Sequence, residues 1–148
     1  LCTAETDYDR ALAREDVLKM LGGRSFRQIS TDPEYLIRAL LLELGAPDHL
    51  VGHPYVVQAV LMVVENRNYI DSITLSLYPQ LAAKFETTPS RVERAIRNLI
   101  EITWARGDWE VLTRYFGNTV SAEKGKPTNG EFLARLANVV KLRMREAA

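Results

Sequence analysis

The sequence predicts an all-α fold, a bundle of six or seven helices that contains a helix-turn-helix. Apolar residues recur at helical spacing through nearly every segment, and the two-residue alternation of a half-buried strand is absent. Start signals stand where the periodic segments begin: Thr31-Asp-Pro-Glu34, Ser90-Arg-Val-Glu93 and Thr128-Asn-Gly-Glu131 each read as a capping box. Stop signals stand where they end, at Gly22-Gly23, Gly45, Gly107 and Gly117. A chain of 148 residues, 47% apolar and 26% charged, suffices for one domain with a core of its own.

The elements follow in order. Residues 5–21 hold Tyr8, Leu12, Val17, Leu18 and Leu21, a first helix that Gly22-Gly23 ends; Ser25 to Ser30 connect. The box at Thr31, with Pro33 in the first turn, opens a helix through YLIRALLLELG that stops at Gly45 and Pro47. Residues 54–66, PYVVQAVLMVVEN, are apolar on almost all sides, so they form the central buried helix. A short turn of helix near Tyr69–Ile73 leads to a helix over Leu75–Phe85. Helices over 90–106 and 108–116 come next, then a polar loop, NTVSAEKGKP, and a last helix to about Met144. Residues 1–33 are therefore an N-terminal helical extension or linker, and residues 34–148 the main domain. The chain opens at Leu1 rather than Met, as a trimmed or excised piece would.

Residues 81–101, LAAKFETTPSRVERAIRNLIE, carry the most specific pattern. A helix-turn-helix places a small residue inside its first helix and a buried β-branched residue about ten positions on. Ala82 and Val92 are those two, and Leu81, Phe85, Ala95 and Ile96 fill the other apolar positions. Glu93, Arg94 and Arg97 then fall on the outward face. The turn position often held by Gly is Glu86, which adopts a left-handed conformation less comfortably.

Charge and composition exclude several classes. Net charge is zero, but residues 1–66 hold 6 Lys/Arg and 10 Asp/Glu, and residues 67–148 hold 13 and 9. The basic excess lies in the half with the helix-turn-helix, which favours a binder of specific contacts over one of bulk attraction. The single Cys2 forms no internal disulfide. No apolar run can span a membrane and no signal peptide opens the chain, so a cytoplasmic location is expected. His49 and His53 have i, i+4 spacing, but Gly52 and Pro54 argue against one continuous helix there, and no third ligand is near; no metal or other cofactor is expected. No catalytic constellation and no phosphate-binding glycine loop is present, so the chain is not expected to be an enzyme.

Residues 36–145 resemble the C-terminal effector domain of the stage zero sporulation master response regulators. The likeness is carried by ITLSLYPQLAAKFETTPSRVERAIRNLIEITWARGD, by YFGNTVS and by KPTNGEF. It implies a six-helix DNA-binding domain that reads short promoter boxes, often as tandem head-to-tail pairs, and contacts the housekeeping sigma factor of RNA polymerase. Two features depart from the family. Its members carry a phosphoacceptor receiver domain ahead of this one, whereas residues 1–33 show no βαβ alternation. Control by aspartyl phosphorylation in cis is unsupported: either a receiver was cut away or this is a receiver-less relative, which the unfamiliar 1–33 segment favours. Asn98 stands where the family more typically has His on the recognition helix.

Site residues follow. Arg94 and Arg97 share a helix face, and each guanidinium can donate twice to guanine O6 and N7; the resemblance assigns base reading to both. The alternative is a solvated arginine face. Glu93 either accepts from cytosine N4 or closes the box with Ser90. Glu101 either holds an arginine or approaches a base, or forms a plain surface ion pair. Ser90 and Arg91 stand at a helix N-terminus that favours phosphate, Asn98 follows on the same helix, and Lys124 and Lys126 are either loop clamps on the backbone or part of a solvated loop. The resemblance assigns sigma-factor contact to Val111, Phe116 and Val120; the alternative packs Phe116 in the core beside Trp109 and Tyr115. The expected partners are double-stranded DNA, the sigma factor and further copies on tandem sites. The rival is a receiver-less interaction module that binds polymerase or titrates a full-length regulator. Arg94 and Arg97 both locked by Glu93 and Glu101 would favour it.

Overall fold

The computed structural model describes residues 31–117 and 125–147. The first helix expected over 5–21, its Gly22-Gly23 stop and the Ser25–Ser30 connector lie outside the described residues. Six α-helices are present among the described residues: α1 (Pro33–Leu44), α2 (Gly52–Glu65), α3 (Tyr78–Lys84), α4 (Pro89–Arg106), α5 (Trp109–Phe116) and α6 (Asn129–Ala147). A 3₁₀ segment (Arg67–Ser72) and a π-helical turn (Ile73–Leu77) join α2 to α3. The all-α fold is as expected, and no strand occurs among the described residues.

Two helix starts differ from the expected capping boxes for the same reason. Proline is preorganised for the first helical position and has no N–H to satisfy there, so the cap falls on the residue before it. Asp32 rather than Thr31 caps α1, its carboxylate accepting from the Glu34 amide at 3.0 Å. Thr88 rather than Ser90 caps α4, its hydroxyl accepting from the Arg91 amide at 3.3 Å. Ser90 and Glu93 therefore form no capping box; Ser90 lies inside the helix. The third box is placed as expected, with Thr128 accepting from the Glu131 amide at 3.2 Å.

The helix expected over Leu75–Phe85 is shorter. Pro79 cannot donate to the carbonyl four residues back. Just ahead of it the Tyr78 amide reaches five residues, to the Ile73 carbonyl, and regular helix holds only from Tyr78 to Lys84. The end of α3 closes with Thr87 N–H donating to the Ala82 carbonyl at 2.9 Å. That closure needs a left-handed residue. Glu86 supplies it at φ 54°, the one non-glycine residue with positive φ among those described.

The core is a single cluster in which α2 is central, packed against α6, α4 and α1. Val56, Ala59 and Val60 are fully buried on it, as the all-round apolar pattern of 54–66 requires. Gly52 begins α2, two residues ahead of the expected start at Pro54, and no continuous helix joins His49 to His53, as expected. His49 precedes it in a turn, so the two histidines do not share a helix. Gly52 lets α2 meet α4 backbone to backbone: a Cβ there would collide with the Ala95 carbonyl oxygen and lie 2.8 Å from its carbon.

Candidate nucleic-acid interface

α4 presents two faces of opposite character. Val92, Ile96, Leu99, Ile100 and Thr103 are buried, and the Thr103 hydroxyl is satisfied within the helix by donating to the Leu99 carbonyl at 2.7 Å. Ser90, Arg91, Arg94, Arg97, Asn98 and Glu101 are exposed, and Glu93 is half-buried. Their spacing of three and four residues lays them along one stripe. Leu81, Ala82 and Ile96 are buried as expected of the turn-flanking core; Phe85 packs on Tyr55 with ring centroids 4.8 Å apart.

Ion pairing on this face is uneven. Arg97 Nη1 lies 3.5 Å from Glu93 Oε1, one turn away, both partly exposed. Glu101 takes a different cation: Lys126 Nζ donates to its Oε1 at 3.2 Å. Arg94 and Arg91 have no ion pair among the described residues. Arg97 is thus half-compensated by an exchangeable surface pair, while Arg94 is not locked by either glutamate. Lys126 is brought beside α4 although it is distant in sequence. Lys124 lies outside the described residues.

The stripe is held from behind. Asn129, at the start of α6, donates through Nδ2 to the Tyr78 hydroxyl at 2.9 Å and to the Glu93 carbonyl at 3.1 Å. One amide thus ties α6, α3 and α4 together. Burial pushes the Tyr78 phenol above its ordinary range, so its hydroxyl stays protonated at neutral pH. Ile73, Tyr78, Ile100, Pro127 and Gly130 floor a groove of about 580 Å³, with Glu93, Arg97, Glu101 and Lys126 among its other walls. Sequence reasoning missed Asn129 and Gly52: the first reads as part of a cap, the second as a helix breaker, and only the fold shows their contacts.

The segment expected to touch a partner protein is split. Phe116 is 1% exposed and stacks on Phe132 at 5.5 Å and 9°, with Trp104 edge-on at 5.0 Å. The Phe116 ring therefore belongs to the core and is withdrawn from any docking surface. Trp104 and Phe132 are its ring partners. Trp109 is 69% exposed, and Tyr115 turns to a polar cluster, donating to Glu43 Oε1 at 2.6 Å. Arg143 donates to Glu43 Oε2 at 3.2 Å and to the Tyr115 hydroxyl at 2.6 Å, which pins α6 to α1 and α5. Val111 is half-buried against the core, and Val120 lies outside the described residues.

No group of three or more His, Cys, Asp or Glu side chains with metal-binding geometry occurs among the described residues. Nor is any helix among them long and apolar enough to cross a membrane. The chain was also compared with models of known protein families. Residues 37–140 match the one described as sporulation initiation factor Spo0A C terminal.

Proposed function

The chain belongs to the Spo0A C-terminal family, DNA-binding domains of sporulation regulators, and from that premise we propose that it is a sequence-specific transcription regulator that reads promoter boxes through α4. α3, the turn at Glu86 and α4 act as the helix-turn-helix, with α4 in the major groove. Arg94 and Arg97 read bases, with Glu93 and Asn98 beside them. Ser90 and Arg91 fix the register on phosphate, since the Ser90 amide has no partner among the described residues and the helix dipole favours an anion there. Lys126, with Lys124, contacts the backbone across the groove, and Glu101 stands between them and the bases.

The observation that supports this most directly is Arg94. An exposed guanidinium with no carboxylate to hold it among the described residues, on a stripe with Arg91 and Arg97, is available to an outside acceptor. The domain proper spans 34–148, with 1–33 an extension or linker, and a cytoplasmic location suits the role. Of the positions for a sigma-factor contact, Val111 and Val120 remain, and copies on tandem sites would touch one another. The rival is a protein-interaction module; the Arg97–Glu93 pair is the contact that favours it.

Fluorescence anisotropy decides between them. A labelled duplex carrying the family's box is compared with a scrambled duplex across a salt series. A preference of about a hundredfold or more at physiological salt supports the specific reader. Arg94→Ala should then lower that preference by about 1–3 kcal/mol at one base pair. Weak, equal and salt-sensitive binding to both duplexes supports the interaction module instead.

A further inference from the structure

We propose that Glu101 is a specificity-determining residue: by pairing with Lys126 it removes that charge from sequence-independent attraction to DNA. The inference rests on the DNA-reading role of α4 and deepens it. Glu101 lies on the same stripe as Arg94 and Arg97, eleven residues beyond Ser90. At about 1.5 Å per residue that is roughly 16 Å along the helix, more than the ~12 Å width of the major groove. With the N-terminus of α4 in the groove, Glu101 comes out at the rim, beside a row of phosphates. A bare carboxylate there would repel DNA. This one is closed by Lys126 Nζ at 3.2 Å, so the pair offers the phosphates no net charge.

The construction of the Lys126 arm suits a partner that can be exchanged. Both side chains of the pair are nearly half exposed, at 44% and 48%. Solvent-exposed pairs of this kind are weak, so a well-placed phosphate can compete for the ammonium. On one side of Lys126 is Gly125, at φ 67° with no atom of the described residues within 4 Å of where a Cβ would stand. On the other is buried Pro127, next to the Thr128 cap of α6. The arm is anchored at that end. A loosely seated, random-sequence duplex meets the closed pair. A duplex whose bases accept Arg94 and Arg97 seats α4 fully and brings phosphate within reach of Lys126. Glu101 thereby widens the gap between the right sequence and the rest without touching a base.

The test is a double-variant cycle with Glu101→Gln and Lys126→Ala, read by anisotropy against the box duplex and a random-sequence duplex over a salt series. Unchanged urea midpoints show that each variant is folded. Glu101→Gln should tighten random-duplex binding by up to about fivefold. It should also steepen the log–log salt slope on that duplex by about 0.9, one phosphate contact. The gain on the box duplex should be smaller, so the preference narrows. In the Lys126→Ala background the slope change and the narrowed preference should vanish, and only the smaller gain from removing a bare carboxylate should be left, equal on both duplexes. An unchanged slope, or a slope change of the same size without Lys126, overturns the inference, the latter because Glu101 would then act through its own charge alone. Failure of the wild-type chain to bind either duplex overturns the DNA-reading role itself, and this inference with it.

Discussion

Gly52→Ala should destabilise the protein, although the same change early in a helix is ordinarily favourable. Alanine exceeds glycine in helix propensity by up to about 1 kcal/mol. Gly52 has no left-handed φ to protect, so propensity alone predicts a gain. Contact reverses the sign. The added methyl would overlap the Ala95 carbonyl oxygen, sit 2.8 Å from its carbon and 3.3 Å from Leu99 Cβ. These are backbone and Cβ atoms of α4, which no rotamer change can move. To restore ordinary contact at about 3.5–4.0 Å the two helices must part by roughly an ångström. Overpacking of this kind costs about 1–3 kcal/mol. Gly130→Ala is the control. Among the described residues its new methyl meets only Ile73 Cδ1, at 3.1 Å, the far end of a flexible side chain, so propensity should win and stability stay level or rise by up to about 1 kcal/mol. Urea denaturation followed by circular dichroism gives both values. A slope of about 1–3 kcal/mol per molar converts the Gly52 penalty into a midpoint lower by roughly 1 M. Equal midpoints for the two variants, or a higher one for Gly52→Ala, would refute the close backbone contact between α2 and α4.

Three further outcomes are expected. Glu86→Gly should be neutral or stabilising by up to about 1 kcal/mol, because relief of left-handed strain offsets the added chain entropy, whereas Glu86→Val should cost about 1–3 kcal/mol; thermal melts rank the pair. Phe116→Ala should cost about 3–5 kcal/mol by emptying the site beside Phe132 and Trp104, and calorimetry would show it as a lowered melting temperature. Acid should weaken the fold in two separable windows. Burial, then Arg38, holds the His53 imidazole below its ordinary value; its contribution is complete above about pH 6.5 and is lost as pH falls through the depressed folded value. The Tyr115 hydroxyl, opposed by burial and helped by Arg143 and Arg114, holds the Glu43 carboxyl below the glutamate range; its contribution is lost only further down, below about pH 4.3. In urea midpoints taken across pH, His53→Gln should flatten the upper window and Glu43→Gln the lower.

What could be read from the chain was whatever is written locally. The apolar positions 81, 82, 92 and 96 and the all-round apolar run of 54–66 foretold which faces are buried, because burial follows helical period. Glu86 could be singled out because the turn has fixed backbone demands. Capping was misread by a residue or two at Thr31 and Ser90, where the rule that proline takes the first helical position outranks the box pattern. The interior of the Leu75–Phe85 segment was misread because Pro79 remakes the hydrogen bonding ahead of itself. Contacts between distant residues left no local signal. Nothing near Lys126 names Glu101 as its partner, nothing near Asn129 names the Glu93 carbonyl, and Phe116 cannot declare from its own neighbours whether it faces inward. The candidate site was therefore legible as a stripe of side chains, and its pairing pattern was not.

The chain's two tryptophans, Trp104 and Trp109, stand on either side of Gly107 in opposite surroundings. Trp104 is wedged edge-on against Phe116 and Phe132, at 5.0 and 6.0 Å, while Trp109 is 69% exposed. The protein thus carries two fluorophores with different spectra and different access to a soluble quencher. A bluer, less quenchable emission from half-buried Trp104 would follow the junction of α4, α5 and α6. A red, quenchable one from Trp109 would follow whatever comes to lie on α5. With either residue replaced by phenylalanine, unlabelled protein could show whether a duplex or a protein partner reaches α5, and whether the core behind α4 moves when it does.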